Sequence, residues 1–282
     1  MKPQNTMNED WKYLIVLDAC RYDCFKQVYK KFVDGALERR QSPAKWTLEW
    51  LSKTFVGTYK DIHYISPVPF CNSKGEVCKR KSIFYDAVCF NAKNHFGMVH
   101  DLWDKPYWNP TFNTVLPCTV SDFAKQETRS HPDRRFVIHY FQPHFPYPHF
   151  RFRCRERRKR VDYVSSLSSM VRTAIPNIVH LVFGTKMLWY LAYTFGIKPT
   201  TPMEETWRMT GRDDEAIREM YKKNLVLVLS YVSELIGNLP PGRIVITSDH
   251  GELLGERNCW GHGPLKPSIP ELTTVPWLEV FR

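Results

Sequence analysis

Short, continuous runs of apolar residues constrain the fold of this chain more than any other feature of its sequence. Such runs occur at residues 13–17 (YLIVL), 61–66 (DIHYIS), 136–141 (FVIHYF) and 243–248 (RIVITS). An uninterrupted apolar run is typical of a strand buried on both faces, as in a parallel sheet covered by helices. Residues 213–239 carry apolar residues at helical spacing and end at a Pro-Pro-Gly stop. The pattern predicts an α/β fold with a mostly parallel central sheet.

Polar residues directly follow three of these predicted strands. Asp18 follows the first run, Gln142 and His144 follow the third, and Asp249 and His250 follow the fourth. Because sites in open α/β sheets lie at the carboxyl ends of the strands, we expect these side chains to converge. Carboxylates and imidazoles bind divalent cations. Taken singly, each has another interpretation: an Asp after a strand can cap the next helix, and an Asp-His pair can be a solvated turn.

The charge balance favours anionic partners. Forty Lys and Arg against 29 Asp and Glu give a net charge of +11, and part of the excess lies in RFRCRERRKR at residues 151–160. Phosphate or sulfate esters, nucleic acid and an acidic membrane surface are the partners that such a charge attracts. Specific nucleic-acid binding is not expected, because no recognised nucleic-acid-binding motif accompanies the basic run.

The cysteines and the N-terminal residues favour the cytoplasm. The eight cysteines are scattered along the chain; they are too sparse for a disulfide scaffold and lack zinc-finger spacing. The first residues, MKPQNTMNEDWKY, are polar and acidic, whereas a secretory signal has a basic start followed by an apolar core. We therefore expect a cytoplasmic protein.

Residues 175–197 allow three interpretations. The segment carries one formal charge, Lys186, and it has the length of about 20 apolar residues that a membrane span needs. Polar and helix-breaking residues crowd its first half, so helices of an insertion are the first interpretation. Contact with an acidic membrane surface is the second, and a true span is the third. We predict a single domain over residues 1–282, with a basic and apolar helical insertion around residues 151–212.

Four motifs lie along the chain in a fixed order. LIVLDACRYD is followed by HYFQPHFPY, then by TSDHGELLGE and finally by GHGPLKPSIPELTTVPWLEV. Together they resemble the sulfatase branch of the alkaline phosphatase superfamily, and in detail its archaeal sulfatase-like proteins. The resemblance spans most of the chain and implies a three-layer α/β/α core around a mostly parallel sheet. One departure is Gln142, which stands where the family's Asp-Pro-His-x-Pro-Tyr motif has an acid.

The resemblance also implies a nucleophile at the start of a helix, where free N–H groups stabilise an anion. Sulfatases of the family use the cysteine of Cys-x-Pro-x-Arg, which occurs nowhere in this chain. Related phosphodiesterases use a threonine ten residues before a glycine, and here Thr47 stands ten residues before Gly57. Thr47 can also be read as a helix N-cap, and Ser42 is the competing nucleophile.

By resemblance, Asp18, Thr47, Asp249 and His250 surround one divalent ion. Mn²⁺, Mg²⁺ or Ca²⁺ suits a site in which carboxylates dominate, while His250 keeps Zn²⁺ open. Two-metal members of the superfamily hold a second ion with an Asp and two histidines. Because Gln142 is a poor replacement for that acid, one ion is expected and two ions are the alternative.

The remaining site residues are expected to contact the substrate. His144 and His262 would bind the non-bridging oxygens of the ester or protonate the leaving group. Arg21 can clamp an anionic ester through its planar guanidinium, or it can pair with Asp23 instead. Lys266 is a further candidate for contacting the ester. Structural roles are expected for two other histidines, His139 and His149.

The expected function is metal-dependent hydrolysis of phosphate esters through a threonine nucleophile and a covalent intermediate. Sulfate esters are less favoured because the formylglycine motif is missing. One alternative is a transferase that moves a phosphoryl head group onto a glycan or lipid. Another is a catalytically degenerate binding protein that keeps the same fold.

Overall fold

The computed structural model describes residues 1–82, 85–148, 184–196, 199, 201–264, 266 and 269–281. The strands are β1 (Lys2–Pro3), β2 (Tyr13–Leu17), β3 (Gly35–Gln41), β4 (Tyr59–Ser66), β5 (Cys78–Ser82), β6 (Tyr85–Phe90), β7 (Phe96–Asp101), β8 (Trp108–Asn109), β9 (Thr114–Val115), β10 (Arg135–Tyr140), β11 (Ile244–Thr247), β12 (Leu253–Leu254), β13 (Trp260–Gly261) and β14 (Thr274–Val280). The helices are α1 (Tyr22–Val28), α2 (Thr47–Thr54), α3 (Ala92–His95), α4 (Pro117–Ser130), α5 (Thr185–Thr194), α6 (Pro202–Met209), α7 (Asp214–Asn238) and α8 (Pro270–Thr273). Short 3₁₀ turns occur at Thr6–Asn8, Tyr29–Lys31 and Glu256–Asn258.

Eight of these strands form one sheet in the order β1-β3-β14-β11-β2-β10-β4-β7. All neighbouring pairs are parallel except those of β14, which runs antiparallel to both β3 and β11. Strand β2 lies between β11 and β10, with Tyr13 opposite both Ile244 and Phe136. The predicted mostly parallel sheet is therefore confirmed.

Alternating side chains of the central strands pack on opposite faces of the sheet. Tyr13, Ile15 and Leu17 of β2 belong to a buried cluster with α1, α4 and α7. Leu14 and Val16 belong to a second buried cluster, which includes the apolar side chains of α2. This alternation follows from the two-residue period of a strand. The helices thus cover both faces, and the α/β/α arrangement in three layers is confirmed.

The four predicted strands match β2, β4, β10 and β11 to within two residues at each end, and the predicted long helix is α7. The predicted insertion lies partly outside the described residues, since residues 149–183 are not among them. His149 and the basic run at residues 151–160 fall in that range. Across the described part of the chain, no helix has the length and apolarity that crossing a membrane requires.

Candidate active site

Two acidic side chains meet where β2 and β11 end. Because the strands are parallel neighbours, their carboxyl ends lie side by side, which places Asp18 next to Asp249. The amide N of Ala19 donates a hydrogen bond to Asp249 Oδ1 at 3.1 Å. Ala19 has a φ of 57°, a left-handed conformation that is strained for a residue with a Cβ atom. The turn after β2 is therefore held in an unfavourable conformation that keeps Asp18 at the strand end.

Thr47 is the first residue of α2, and its hydroxyl faces this acidic pair. Trp46 is the N-cap residue and makes no side-chain capping hydrogen bond. Instead of capping the helix, Thr47 Oγ1 lies 3.3 Å from His250 Nε2. The side chain is buried, at 4% exposure. The N-cap interpretation of Thr47 is thus not the arrangement observed, and the hydroxyl at the helix N-terminus faces His250 and Asp249.

The imidazole of His250 is oriented so that a nitrogen lone pair faces both carboxylates. Its Nδ1 lies 2.8 Å from the carbonyl oxygen of Gly251, which can only accept a hydrogen bond. Nδ1 therefore carries the proton, and Nε2 of the neutral ring presents its lone pair. That nitrogen lies 3.6 Å from Asp18 Oδ1 and 3.3 Å from Asp249 Oδ2. A hydrogen bond from one ring nitrogen to a backbone carbonyl oxygen is typical of histidines that bind a metal through the other nitrogen.

The oxygens that face His250 have no hydrogen-bond donor of their own. Asp18 Oδ1 and Asp249 Oδ2 are buried and without a hydrogen-bond partner in the described part of the chain. Burial raises the pKa of Asp18 well above its usual range, and the negative charges of Asp249 and Glu252 raise it further. A divalent cation would supply the missing positive charge. The four side chains Asp18, Thr47, Asp249 and His250 therefore fit the cation that the resemblance implies.

His139 also approaches this group, although its sequence position suggested a structural role. Ligand atoms of Asp18, His139 and Asp249 lie within 4.8 Å of one another. Its Nδ1 is 2.8 Å from the hydroxyl of Tyr64, while its Nε2 is buried without a partner among the described residues. Burial lowers the pKa of His139 to about 4, so the ring is neutral at pH 7. A histidine inside the otherwise apolar run FVIHYF was the signal that sequence reasoning passed over.

A second group of potential ligands combines His144, Glu252 and His262. His262 Nδ1 lies 3.2 Å from Glu252 Oε1. The loop that carries His144 is held from both sides, since His144 N donates to the Asp18 carbonyl oxygen and Asn224 of α7 donates to the His144 carbonyl oxygen. Burial lowers the pKa of both His144 and His262 to about 4, so both rings are neutral at pH 7 and their lone pairs are available. The rings of His250 and His262 are 4.2 Å apart, which joins the two groups into one site.

Glu252 supplies an acid that the sequence reasoning sought at position 142. Gln142 is fully buried, and its amide donates to the carbonyl oxygen of Val115 at 2.9 Å, away from the site. Glu252 belongs to the Ser-Asp-His-Gly-Glu motif itself and is 1% exposed. The absence of an acid at position 142 is therefore no argument for a single ion. The arrangement has ligands enough for the two-ion alternative.

Close packing of the Ser-Asp-His-Gly-Glu turn explains its glycine. The amide N of Gly251 donates to the carbonyl oxygen of Leu272 at 2.8 Å. A Cβ atom at position 251 would lie 1.9 Å from the backbone oxygen of Glu271, so no larger residue fits without moving the backbone. The turn that bears Asp249, His250 and Glu252 is thus packed closely against the backbone of α8.

Arg21 lies next to the site but contacts acidic side chains. Its Nε and one terminal nitrogen bind the two oxygens of Asp23 at 2.9 and 2.6 Å, and the other terminal nitrogen binds Glu256 Oε1 at 2.6 Å. Both edges of the guanidinium are therefore occupied. The contacts favour the ion-pair alternative over an ester clamp.

Two other candidates also have partners within the protein. The hydroxyl of Ser42 donates to the carbonyl oxygen of Asp249 at 2.5 Å. Lys266 Nζ donates to Thr185 Oγ1 at 2.5 Å, and burial lowers its pKa to about 8. Neither contact aims the group at Thr47, so Thr47 is the hydroxyl that the geometry favours.

A pocket with a volume of about 550 Å³ opens onto these side chains. Asp18, Thr47, His144 and His262 form its polar end. Its walls are mainly apolar and aromatic and comprise Pro67, Val68, Pro69, Phe70, Trp103, Trp108 and Phe141, with Asp104 and Lys105 also present. The shape and lining suit an organic ester rather than inorganic phosphate alone.

Solved structures of two kinds of enzyme are similar to this chain. Phosphoethanolamine transferase EptA from Neisseria meningitidis, an integral membrane protein, matches with 12% identity and a TM-score of 0.47 over 99% of this chain and 49% of its own. The periplasmic domain of EptC from Escherichia coli, in complex with Zn, matches with 10% identity and a TM-score of 0.47 over 98% and 74%. A Bacteroides thetaiotaomicron protein assigned as a sulfatase matches with 12% identity and a TM-score of 0.46 over 96% and 64%. Phosphoethanolamine transferases and sulfatases belong to the alkaline phosphatase superfamily, which the sequence motifs resemble. Neither a protein-family model nor a curated protein matches the chain.

Proposed function

We propose that this chain is a metal-dependent enzyme that cleaves an organic phosphate ester and transfers its phosphoryl group by way of Thr47. One observation carries the proposal. Thr47 Oγ1, His250 Nε2 and two buried carboxylate oxygens without hydrogen bonds face a common point. A divalent cation bound there by Asp18, Asp249 and His250 would make the Thr47 hydroxyl acidic enough to attack and would neutralise the ester's charge.

The proposed reaction has two steps. In the first, Thr47 Oγ1 loses its proton and bonds to phosphorus while the bond from phosphorus to the leaving oxygen breaks, and the released alkoxide takes up a proton. In the second, an acceptor oxygen attacks phosphorus and loses its proton to the imidazole of His144 or His262, and Thr47 leaves and regains a proton. Because burial keeps both imidazoles neutral, they suit accepting this proton better than donating one to the leaving group.

An organic alcohol is the acceptor that we propose, with water as the competing acceptor. Aromatic and proline walls around the polar end of the pocket favour binding of an organic group and limit access of water. Head-group transfer, the alternative reached from the sequence, fits these walls better than simple hydrolysis does. Hydrolysis is then the slower reaction expected when no alcohol is supplied. Sulfate esters remain disfavoured, because the chain has no Cys-x-Pro-x-Arg motif.

A chromogenic phosphate diester tests this proposal. With Zn²⁺ or Mn²⁺ present, Thr47→Ala should lower turnover by at least about 10³-fold, since the nucleophile is lost. Thr54→Ala, at the opposite end of the same helix, is the matched control and should keep full turnover. Mass spectrometry should find the phosphoryl adduct on Thr47 and, after addition of glycerol or ethanolamine, the corresponding phosphoester of that alcohol.

Two results would contradict parts of the proposal. If Thr47→Ala kept its activity while Ser42→Ala lost it, the nucleophile would be Ser42. If water were the only acceptor at every alcohol concentration, the enzyme would be a hydrolase and the transferase assignment would fail.

We also propose that α5 contacts an acidic membrane surface. Its side chains Met187, Tyr190, Leu191 and Tyr193 are each at least 40% exposed, and the chain carries a net charge of +11. Exposed apolar and aromatic side chains on a basic protein suit the interface of an anionic bilayer.

Flotation with phosphatidylserine vesicles should be lost in Leu191→Glu and kept in Val226→Glu, a similarly exposed residue of α7. Equal flotation of both variants would sink this proposal. The cytoplasmic location stays a prediction from the sequence.

A further inference from the structure

A separate group of titratable side chains lies between the sheet and α4. His63 belongs to β4, His100 to β7 and Glu127 to α4, and His131 is the C-cap residue of that helix. The register of the parallel pair sets Ile65 opposite His100, so His63 and His100 point to the same face of the sheet. Glu127 and His131 are four residues apart and share one face of the helix. The fold itself therefore aims these four side chains at one another.

Three imidazole nitrogens converge on a single carboxylate oxygen. Glu127 Oε1 lies 3.1 Å from His63 Nδ1, 3.1 Å from His100 Nε2 and 2.9 Å from His131 Nδ1. Ligand atoms of His63, Glu127 and His131 are within 4.8 Å of one another. Ligands bonded to tetrahedral Zn²⁺ at about 2.0–2.2 Å would be roughly 3.3–3.5 Å apart. The three nitrogen-to-oxygen separations are a few tenths of an ångström shorter than this, and His100 lies outside the set of mutually close ligand atoms.

Hydrogen bonding to Glu127 accounts for only one of these three contacts. The His63 contact has hydrogen-bond geometry. His100 Nε2 and His131 Nδ1 are buried atoms with no hydrogen-bond partner in the described residues, although each is close to the carboxylate oxygen. An imidazole nitrogen that lies close to a carboxylate oxygen without forming a hydrogen bond to it is available as a metal ligand. Two such nitrogens beside one carboxylate oxygen form a donor set that suits a cation.

Three of the four side chains are largely buried, and one side of the group is accessible from solvent. His63 is 5% exposed, and the side chains of His100 and Glu127 are 14% and 13% exposed. The ring of Phe123 lies 5.0 Å from His100 and that of Phe136 lies 5.5 Å from His63. The side chain of His131 is 41% exposed and leaves the group accessible from solvent. Arg134 is a nearby positive charge that disfavours a cation here. The negative charge of Glu127 acts more strongly on His63 and offsets it.

We propose that His63, His100, Glu127 and His131 form a binding site for Zn²⁺ or a similar transition-metal dication. Three imidazoles and one carboxylate suit such an ion and do not suit Mg²⁺ or Ca²⁺, which require more oxygen ligands. His63, Glu127 and His131 would hold the ion and His100, which contacts Glu127, would complete a tetrahedral shell, so the site is structural rather than catalytic. It shares no residue with the candidate active site and does not depend on the function proposed for that site.

The bound ion would fasten a strand at the margin of the sheet. Strand β7 is last in the sheet order, with β4 as its only neighbour among the strands described. A metal bond from His100 would connect β7 to β4 and to α4 at once. An edge strand secured in this way opens less readily and is less exposed to pairing with another chain.

Zinc titration in a variant with a disabled active site tests the proposal. The double variant Asp249→Asn/His250→Ala should still bind Zn²⁺, and the added change His131→Asn should remove one equivalent, measured by elemental mass analysis after dialysis. Bound Co²⁺ should give the intense visible absorption of a four-coordinate site, and His131→Asn should abolish that signal. Zn²⁺ at a hundredfold excess over its Kd should raise the Tm by roughly 5 °C through this site.

Two further variants make the result specific. His95→Asn removes a histidine outside both groups, one whose Nδ1 contacts the carbonyl oxygen of Gly57, and should change neither stoichiometry nor absorption. Glu127→Gln keeps the side-chain shape and should weaken Zn²⁺ binding at least about tenfold. The proposal fails if His131→Asn and Glu127→Gln, with circular dichroism like that of the parent, bind as much Zn²⁺ as the parent. Loss of Thr47-dependent turnover has no bearing on either outcome.

Discussion

Asp18 Oδ1 and Asp249 Oδ2 are buried without hydrogen-bond partners in the described part of the chain, an arrangement that costs free energy unless a cation is bound. Thr47 and His250 complete the donor set around the same point, and His250 is held in the tautomer that a metal ligand needs. Function and stability are therefore in conflict at these residues. The protein without metal retains a buried Asp18 carboxyl group whose charged form is disfavoured by burial and by the charges of Asp249 and Glu252.

The substitution Asp18→Asn should separate these two effects. In the presence of a chelator, the free energy of unfolding of the variant should be about 1–2 kcal/mol higher than that of the parent, because a buried carboxyl group whose charged form is disfavoured by burial and by Asp249 is replaced by a neutral amide. With metal restored, it should lose turnover, because a ligand is missing. Urea unfolding with and without the chelator measures the first effect, and diester cleavage measures the second. Equal stability of parent and variant in chelator would show that the buried pair is not strained.

Arg21 connects three elements around the site. It fixes the start of α1 through Asp23 and the 3₁₀ turn at Glu256–Asn258 through Glu256, and its amide N donates to the hydroxyl of Tyr221 in α7. Buried and partly buried polar contacts of Arg21 thus fix the relative positions of the short elements around the site.

Replacing Arg21 with Gln should destabilise the protein by about 2 kcal/mol, since a buried charge and two partly exposed partners lose their ion pairs. Arg243→Gln is the matched control, because Arg243 also contacts two acidic residues but is half exposed, and it should change stability by no more than about 0.5 kcal/mol. Thermal unfolding measures both. A variant with unchanged Tm and a strongly raised KM would instead identify Arg21 as an ester clamp.

Elements with a continuous apolar run could be predicted from the sequence, and those without one could not. Strands β2, β4, β10 and β11 are central and covered on both faces, so their sequences are mainly apolar and can be recognised as buried strands. Strand β3 reads GALERRQ and is mostly not buried, so its charged residues leave no apolar pattern from which a strand could be predicted. Strand β7 reads FGMVHD and lies at the margin of the described sheet, where burial on one side leaves a weak pattern.

The same reasoning explains which site residues were found. Asp18, Asp249 and His250 follow strand ends, where topology alone brings them together. Glu252 and His139 depend on the direction of a side chain within a turn and within a buried strand, which neither spacing nor composition specifies. The group around Glu127 could not be predicted from the sequence, because its four members come from three separate elements that meet only when α4 packs on the sheet.

At the scale of the whole molecule, the candidate metal site joins three distant parts of the chain. Its ligands follow β2, begin α2 and follow β11, so an ion bound there crosslinks the folded state and has no equivalent site in the unfolded chain. Binding free energy is then added to folding stability. Loss of the ion should be felt by the entire fold rather than by one loop.

Chelation should therefore lower the Tm of the parent by roughly 5–8 °C at metal concentrations near a thousandfold over Kd. In Asp249→Asn the same treatment should have a smaller effect, and the difference between the two proteins belongs to the active-site ion. Differential scanning calorimetry gives both values. Re-addition of Zn²⁺ or Mn²⁺ should restore the Tm of the parent together with its turnover, and recovery of one without the other would show that the site does not couple metal binding to folding.

The pairing of β11 with β2 also sets the order of events during synthesis. The contact between Ala19 and Asp249 spans 230 residues of sequence. While a ribosome makes the chain from its N-terminus, the loop that bears Asp18 must wait with one side of its strand unpaired until β11 emerges. Contacts of such long range also slow the search for the native state. A cation at the candidate site would therefore bind only after almost all of the described sheet has formed.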